Sequence, residues 1–368
     1  MKRIAILGRG AHTLPTYRVL LNDLAAHYSI TLYSEVAMTP EWLLLEHNYA
    51  IKSIPKGKYP RRLRDLLLLL LILRDHLKNP FVLLHAHSTY PTGFIAILLK
   101  KIFKIPVVVA LDAAEGSAFP EIDFGDLLSK RRAKLNQWVI NQASFVTALT
   151  NFHRDQVYTN LKITKNINVI PRGVDPAKFS IVNTQKENDS ITILSVSYLS
   201  PVKDPETLIR TFFLIQQSIN CKLIHIGHDY MNHAIQQLVK EMGIEDKVFF
   251  MGHLAYEEIP EYYKKADLFL LTSVYESQAL VVAEALAAGI PVAGTHVGLM
   301  ADLSEKCCIT VPPGNYKALA ESVLALLSDK ERMSALQENG YNWSRQNNLD
   351  TCVATLRNIY DHLIVIKQ

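Results

Sequence analysis

Short apolar runs alternate with amphipathic stretches from the first residues of this chain. "RIAILG" (3–8) is followed by helical periodicity through "LPTYRVLLNDLAAHY" and by a second run, "SITLYS". "FVLLHAHS", the helix "PTGFIAILLKKIFK" and "IPVVVALD" repeat the scheme. A helix around 127–142 then leads to "SFVTALT" and, past another short helix, to "NINVIPRGVD". Continuous apolar runs interleaved with helices predict parallel sheets covered on both faces. "DPAKFSIVNTQKENDSI" breaks the pattern, being polar and charged, and reads as a linker.

Beyond it the scheme restarts. "ITILSVSYL", "CKLIHIG", "KVFFMGHL" and "ADLFLLTS" read as strands, with helices at "DPETLIRTFFLIQQ", "NHAIQQLVKEMG" and near 257–265. The chain finishes in helices near 316–328, 330–340 and 350–364. The expected architecture is α/β, with two Rossmann-like doubly wound domains in tandem. Such sheets take ligands beyond the carboxyl ends of their strands, and two facing sheets would leave a central cleft.

Composition narrows the function classes. A chain of 368 residues suits two domains, and 49% hydrophobic residues exclude a disordered or low-complexity protein. A formal charge of +4 is no nucleic-acid footprint. The four cysteines, Cys221, Cys307, Cys308 and Cys352, form neither a disulfide framework nor a metal-site spacing. "MKRIAILGRG" has too short an apolar run for a signal peptide, so the expected compartment is the cytoplasm. In "YPRRLRDLLLLLLILRDHLKN" an eight-residue apolar run, Leu66 to Leu73, is flanked by Arg61, Arg62, Arg64 and Arg74. It is too short to span a bilayer. Two readings stand for the segment 61–74: a helix covering a sheet face, or a basic-flanked helix touching anionic lipid at a membrane surface. The strand that follows favours the first.

The chemistry concentrates in "SVYESQALVVAEALAAGIPVAG", where Glu276 and Glu284 stand eight positions apart in apolar sequence. Unpaired buried carboxylates are costly. Glu276 falls between strand end and helix start. Ser277 is placed to cap the helix, and the N–H groups near Gln278, Ala279 and Leu280 form an anion site. Glu284 lies two turns into the helix, about 12 Å from Glu276 if both are helical. That separation suits two parts of one elongated ligand better than a close acid/base pair, and carboxylates accept well from sugar hydroxyls.

With "HAHSTYPTG", "VIPRGVDPAKF", "LSVSYLSPVKDPETLI", "LIHIGHD" and "VFFMGHL" in order around it, this E-x7-E stretch resembles the signature of the GT-B retaining glycosyltransferases of family four. The resemblance covers nearly the whole chain. It implies a nucleotide-sugar donor on the C-terminal domain (176–348), an acceptor mostly on the N-terminal domain (1–175), and a last helix (349–368) returning to the first domain. It further implies that Glu284 holds the donor ribose, Glu276 contacts the transferred sugar, and Lys203 neutralises the departing diphosphate. Gly252 and His253 then lie by the base pocket, although His253 also reads as an ordinary loop histidine. No metal is expected.

Several positions depart from the family pattern. Tyr198 stands where an arginine is usual, with Arg172 as a substitute cation. Ala279 replaces a glycine near phosphate and still offers its N–H where the backbone is helical. The glycine-rich loop is reduced to Gly8 and Gly10. Asp112 replaces a histidine, with Glu115 next, as groups that orient an acceptor hydroxyl or the sugar; a turn-forming Asp112 fits equally. His85 and His87 are expected to alternate, so that only one faces the cleft. His87 and Ser88 either hydrogen-bond substrate or shape the turn. The expected activity is transfer of a hexose-type sugar from a nucleotide diphosphate donor to a saccharide or lipid-linked acceptor. The alternatives are a catalytically degenerate sugar-nucleotide-binding or interaction protein and a nucleotide-sugar epimerase.

Overall fold

Seven strands in the first half, β1 (Arg3–Gly8), β2 (Ser29–Ser34), β3 (Ala50–Ser53), β4 (Leu83–His87), β5 (Val107–Leu111), β6 (Phe145–Ala148) and β7 (Ile167–Val169), form one sheet in the order β3-β2-β1-β4-β5-β6-β7. All neighbours run parallel, with Ile4 of β1 in register with Ile30 on one side and Leu83 on the other. Every residue of β4 and β5 is buried. Burial on both faces is why β5 is a continuous apolar run, whereas β4 carries two buried histidines, His85 and His87, on one face.

The second half builds β8 (Ile191–Val196), β9 (Cys221–Ile226), β10 (Val248–Phe250), β11 (Leu268–Leu271), β12 (Val292–Thr295) and β13 (Ile309–Val311), in the order β10-β9-β8-β11-β12-β13 and again all parallel. In each sheet the direction of winding reverses beside the first strand, at β1/β4 and at β8/β11. The computed structural model describes residues 1–8, 15–34, 47–54, 59–179 and 190–366. No described helix is long and apolar enough to cross a membrane.

The chain divides into two compact units. One holds residues 1–149, 153–170 and 352–368, and the other 150–152 and 171–351. Residues 150–152 join the second unit through hydrogen bonds. Thr150 Oγ1 donates to the Ser277 carbonyl at 2.7 Å, and the Asp302 carboxylate accepts from the Asn151 and Phe152 amides. In the first unit the end of helix Leu349–Val365 is anchored by Tyr360, which is fully buried with its hydroxyl 2.5 Å from His85 Nδ1.

The linker expectation needs correcting at its start. Pro176–Phe179 is a helical turn, and Phe179 is fully buried, its ring 5.5 Å from that of Tyr263. Phe179 thus ties the start of a mostly polar stretch into the core. The rest of the expected linker, 180–189, lies outside the described residues. Replacing Phe179 by Ala is expected to cost about 3–5 kcal/mol of stability, read from the denaturation midpoint. A change below about 1 kcal/mol, the ordinary surface range, would return this turn to the linker.

Candidate functional site

In the second unit two loops leave the carboxyl ends of the neighbouring strands β8 and β11. After β8 the chain makes a tight turn at Pro201–Lys203 and enters helix Pro205–Gln216. Asp204 caps that helix by accepting from the Thr207 amide at 3.2 Å. After β11 the chain runs from Thr272 to helix Leu280–Ala287. The loops are stitched together. The Val274 amide donates to the Val202 carbonyl at 2.8 Å, and Thr272 Oγ1 donates to the carbonyls of Lys203 and Asp204 at 3.2 and 3.0 Å.

This stitching sets Lys203 Nζ 2.5 Å from Glu276 Oε1, an oxygen that also accepts from Ser273 Oγ at 2.8 Å. Both partners keep a water-facing edge, at 22% and 11% side-chain exposure. Gly298 closes the loop from behind. Its φ is +51°, and a Cβ there would lie 2.8 Å from both the Gln278 carbonyl oxygen and Glu276 Cβ. An ammonium and a carboxylate thus share the mouth of the sheet at its switch point, where open α/β sheets bind ligands.

The helix start differs from the expectation. Ser277 is not the cap; the helix begins at Leu280 with Ala279 in the cap position. Gln278 decides this, because its buried amide holds the Arg172 backbone at both ends. Oε1 accepts from the Arg172 amide at 3.0 Å, and Nε2 donates to its carbonyl at 2.7 Å. Ala279 is consequently left-handed (φ 67°, ψ 74°) rather than helical. A non-glycine residue pays roughly 1–2 kcal/mol for that conformation. The amides of Leu280 and Val281 open the helix without intrahelical acceptors, while the Val282 amide bonds the Ala279 carbonyl at 2.9 Å. Arg172 is held beside this loop by its backbone. Tyr198 is turned outward, 48% exposed, with its ring against Tyr230.

Glu284 sits inside the helix, 3% exposed, with Oε2 accepting from the buried Tyr263 hydroxyl at 2.9 Å. Burial pushes its carboxyl up to about 7, against the opposing effects of the Tyr263 and Tyr256 hydroxyls and the Lys178 charge. Lys178 stands 3.9 Å from the Tyr256 ring centre. Residues Tyr256, Tyr263 and Lys178 were not foreseen. The available signal was the physical demand that a carboxylate in apolar sequence find donors, but nothing in spacing says which ones. Gly252 (φ +69°) and His253 line a 440 Å³ cavity beyond β9 and β10, with Gly227, His228, Asp229 and Phe250.

In the first unit, β4 and β5 end in a second cluster. His87 Nδ1 lies 2.8 Å from Asp112 Oδ2, and Nε2 faces the hydroxyl of the buried Tyr17. The expectation that His85 and His87 point apart is wrong. Two residues apart on a strand means the same face, and the rings stand 4.6 Å from one another, both buried. Ser88 serves the turn, with φ 67° and its hydroxyl donating to the Tyr90 carbonyl at 3.3 Å. Glu115 belongs to the interior rather than to an acceptor face. It is fully buried, 3.5 Å from His153, and burial raises its pKa. Gly10 lies outside the described residues.

Residues 177–343 match the family described as Glycosyl transferases group 1, and residues 18–178 match Glycosyltransferase Family 4. The chain belongs to this family of group 1, GT-B fold glycosyltransferases. It is 28% identical to N-acetyl-alpha-D-glucosaminyl L-malate synthase of Bacillus anthracis, over 68% of this chain and 66% of that protein. It is 26% identical to alpha-monoglucosyldiacylglycerol synthase of Streptococcus pneumoniae, over 57% of this chain and 51% of the relative. The matches thus span about two thirds and about half of those relatives. Among solved structures, sucrose-phosphate synthase from Thermosynechococcus elongatus superposes with a TM-score of 0.86 at 20% identity, over 100% of both chains. HepE of Anabaena in complex with UDP-glucose superposes at 0.80 and 18% identity, over 98% of this chain and 100% of that one. At such identities these likenesses establish the fold.

Two outcomes are expected from this geometry. Gly298→Ala should press on the Gln278 carbonyl and Glu276 and cost about 1–3 kcal/mol of stability, read from the denaturation midpoint; an unchanged midpoint would mean that the loop yields freely. Glu284→Gln tests the buried carboxyl. The unfolded chain ionises this group near 4.5 and the folded one near 7. Its contribution to stability is therefore fully present below about pH 4.5 and is lost as pH rises to 7. The variant should lack that fall and gain on the order of 3 kcal/mol over the wild type at pH 8 relative to pH 4. Parallel melting curves against pH would refute it.

Proposed function

We propose that the chain is a retaining hexosyltransferase that uses a nucleotide diphosphate sugar and delivers the sugar to a hydroxyl of a saccharide or lipid-linked acceptor. The observation that carries this reading is the Lys203–Glu276 pair at the β8/β11 switch point, beside the amides that open helix Leu280–Ala287. A diphosphate placed there meets an ammonium and two N–H donors, which stabilise the charge that grows on it as the glycosidic oxygen departs. Glu276, released from Lys203 by the phosphate, accepts from the sugar hydroxyls. The Glu284 carboxyl, held by Tyr263, addresses the ribose hydroxyls, and the cavity at Gly252 and His253 takes the base.

In this mechanism the bond from the anomeric carbon to the phosphate oxygen breaks, and the acceptor oxygen bonds the same carbon from the same face. The acceptor proton passes to the leaving phosphate, so no protein nucleophile and no metal are required. Asp112, aimed by His87, orients the acceptor hydroxyl. We place the protein in the cytoplasm, with peripheral contact at the membrane through the helix spanning 61–74. A degenerate protein that binds a sugar nucleotide without transfer is the rival reading, favoured by the outward-facing Tyr198 in place of a diphosphate-binding cation.

Thermal-shift measurements with UDP, GDP, ADP and their sugar conjugates test the proposal. A ligand at 100 times its Kd stabilises by about 2.7 kcal/mol. One nucleotide should raise the midpoint clearly, and uridine donors are tried first because HepE holds UDP-glucose. Absence of a shift with every nucleotide would sink the reading. Lys203→Ala should lower kcat by about 10²-fold with little change in melting temperature; undiminished kcat would remove Lys203 from the mechanism. Binding without transfer to any acceptor would favour the rival.

A further inference from the structure

The helix Arg61–Lys78 buries only one side. Leu68 and Ile72 are fully covered by the first unit's core, whereas Leu63, Leu66, Leu70 and Leu77 are 42%, 49%, 48% and 67% exposed. Their spacing of three, four and seven places them along one stripe. The Phe103 ring, 4.4 Å from that of His76, brings the end of helix Phe94–Phe103, where Ile102 is 65% exposed, against this helix. A helix that serves only to cover a sheet carries polar residues on its outer face. This one carries leucines.

The cations lie where those leucines end. Arg62, Arg74, Lys78 and Lys104 are exposed, whereas Arg64 is buried and does not join them. At the helix C-terminus a 580 Å³ pocket is lined by Arg3, Lys52, Arg74 and Lys78 around a single carboxylate, Asp75. That carboxylate is already satisfied by the Tyr33 hydroxyl at 2.5 Å and Lys52 Nζ at 2.6 Å. Arg3 donates to the Asp75 carbonyl at 3.1 Å and to that of Asn79. The pocket therefore keeps a net positive charge. Cations at a helix C-terminus are favoured by the dipole alone, but the dipole gives no reason for a leucine stripe leading up to them.

We infer that this face docks on an anionic lipid bilayer, the leucine stripe entering the acyl boundary and the Arg3–Lys52–Arg74–Lys78 pocket receiving a phosphate headgroup. Surface binding strengthens with the apolar area inserted and with attraction between cations and anionic lipid, and this face supplies both. The charge complementarity selects an anionic bilayer over a neutral one. The inference rests on the proposed membrane contact and deepens it by naming the side chains that insert and the pocket that takes the headgroup, and it does not depend on which sugar is transferred.

The test is sedimentation of the full chain with vesicles of phosphatidylcholine alone or mixed with phosphatidylglycerol, at low and high salt. The wild type should bind the mixed vesicles, at least tenfold more weakly to the neutral ones, and less at high salt. Arg74→Glu with Lys78→Glu should lose the preference, each lost cation alone being worth about fivefold. Leu66→Gln with Leu70→Gln should lose binding to both vesicles. The melting temperature and the nucleotide-induced shift of each variant, which should match the wild type, separate a failed docking face from a failed fold or a failed donor site. Equal binding to both vesicles, or variants that bind as the wild type does, would overturn the inference. So would a wild-type dimer dispersed by the leucine substitutions with no vesicle binding, because the stripe would then join two copies of the chain.

Discussion

The second unit's chemistry depends on two strands that lie side by side while their chains depart in opposite directions. The loops that leave β8 and β11 start side by side at the carboxyl end of the sheet. The bonds from Val274 and Thr272 to the Val202–Asp204 turn convert them into one rigid lip. Lys203 and Glu276, 73 residues apart, are then held within 2.5 Å of one another. That ion pair keeps a lysine organised that would otherwise be a solvated side chain, and it gives an acid at the edge of an apolar sheet a partner. Gly298 fits the same closure, since a Cβ there would meet the Gln278 carbonyl and Glu276 at the back of the loop.

Buried titratable groups elsewhere obey the same economy of partners. Glu284 has two tyrosine hydroxyls, Glu115 has His153, Asp112 has His87 with Tyr17 behind it, and Asp75 has Tyr33 and Lys52. In each case the partner comes from another element, often far along the chain. A carboxylate removed from water without such donors costs more than a domain's margin of stability can absorb. These contacts therefore decide which side chains can face a ligand. Asp112 keeps an edge at the end of β5, whereas Glu115, three residues later, is lost to the interior.

Much of the fold was legible in the sequence, because burial on both faces of a parallel sheet forces continuous apolar strands, and helices between them force the parallel arrangement. The spacing of Glu276 and Glu284 marked the site region for a comparable reason: two acids in apolar surroundings must be explained. The misread places share a cause. Ser277 seemed a helix cap because local rules favour it, but Gln278 is held by the Arg172 backbone and moves the helix start to Leu280. Phe179 lies in polar sequence, yet a distant tyrosine recruits it into the core.

By itself, the sequence determined the α/β class, the two sheets, the position of the carboxylates along the chain and the apolar run with its arginines. All of these rest on periodicity and on charge within a few residues, which a linear pattern carries. Tertiary structure alone decided that Lys203 meets Glu276, that tyrosines surround Glu284, that His87 holds Asp112, and that the leucine stripe stays outside beside a cationic pocket. The physical reason is that a polar group's state depends on its burial and its partner, and both are set by contacts between segments that no local pattern relates.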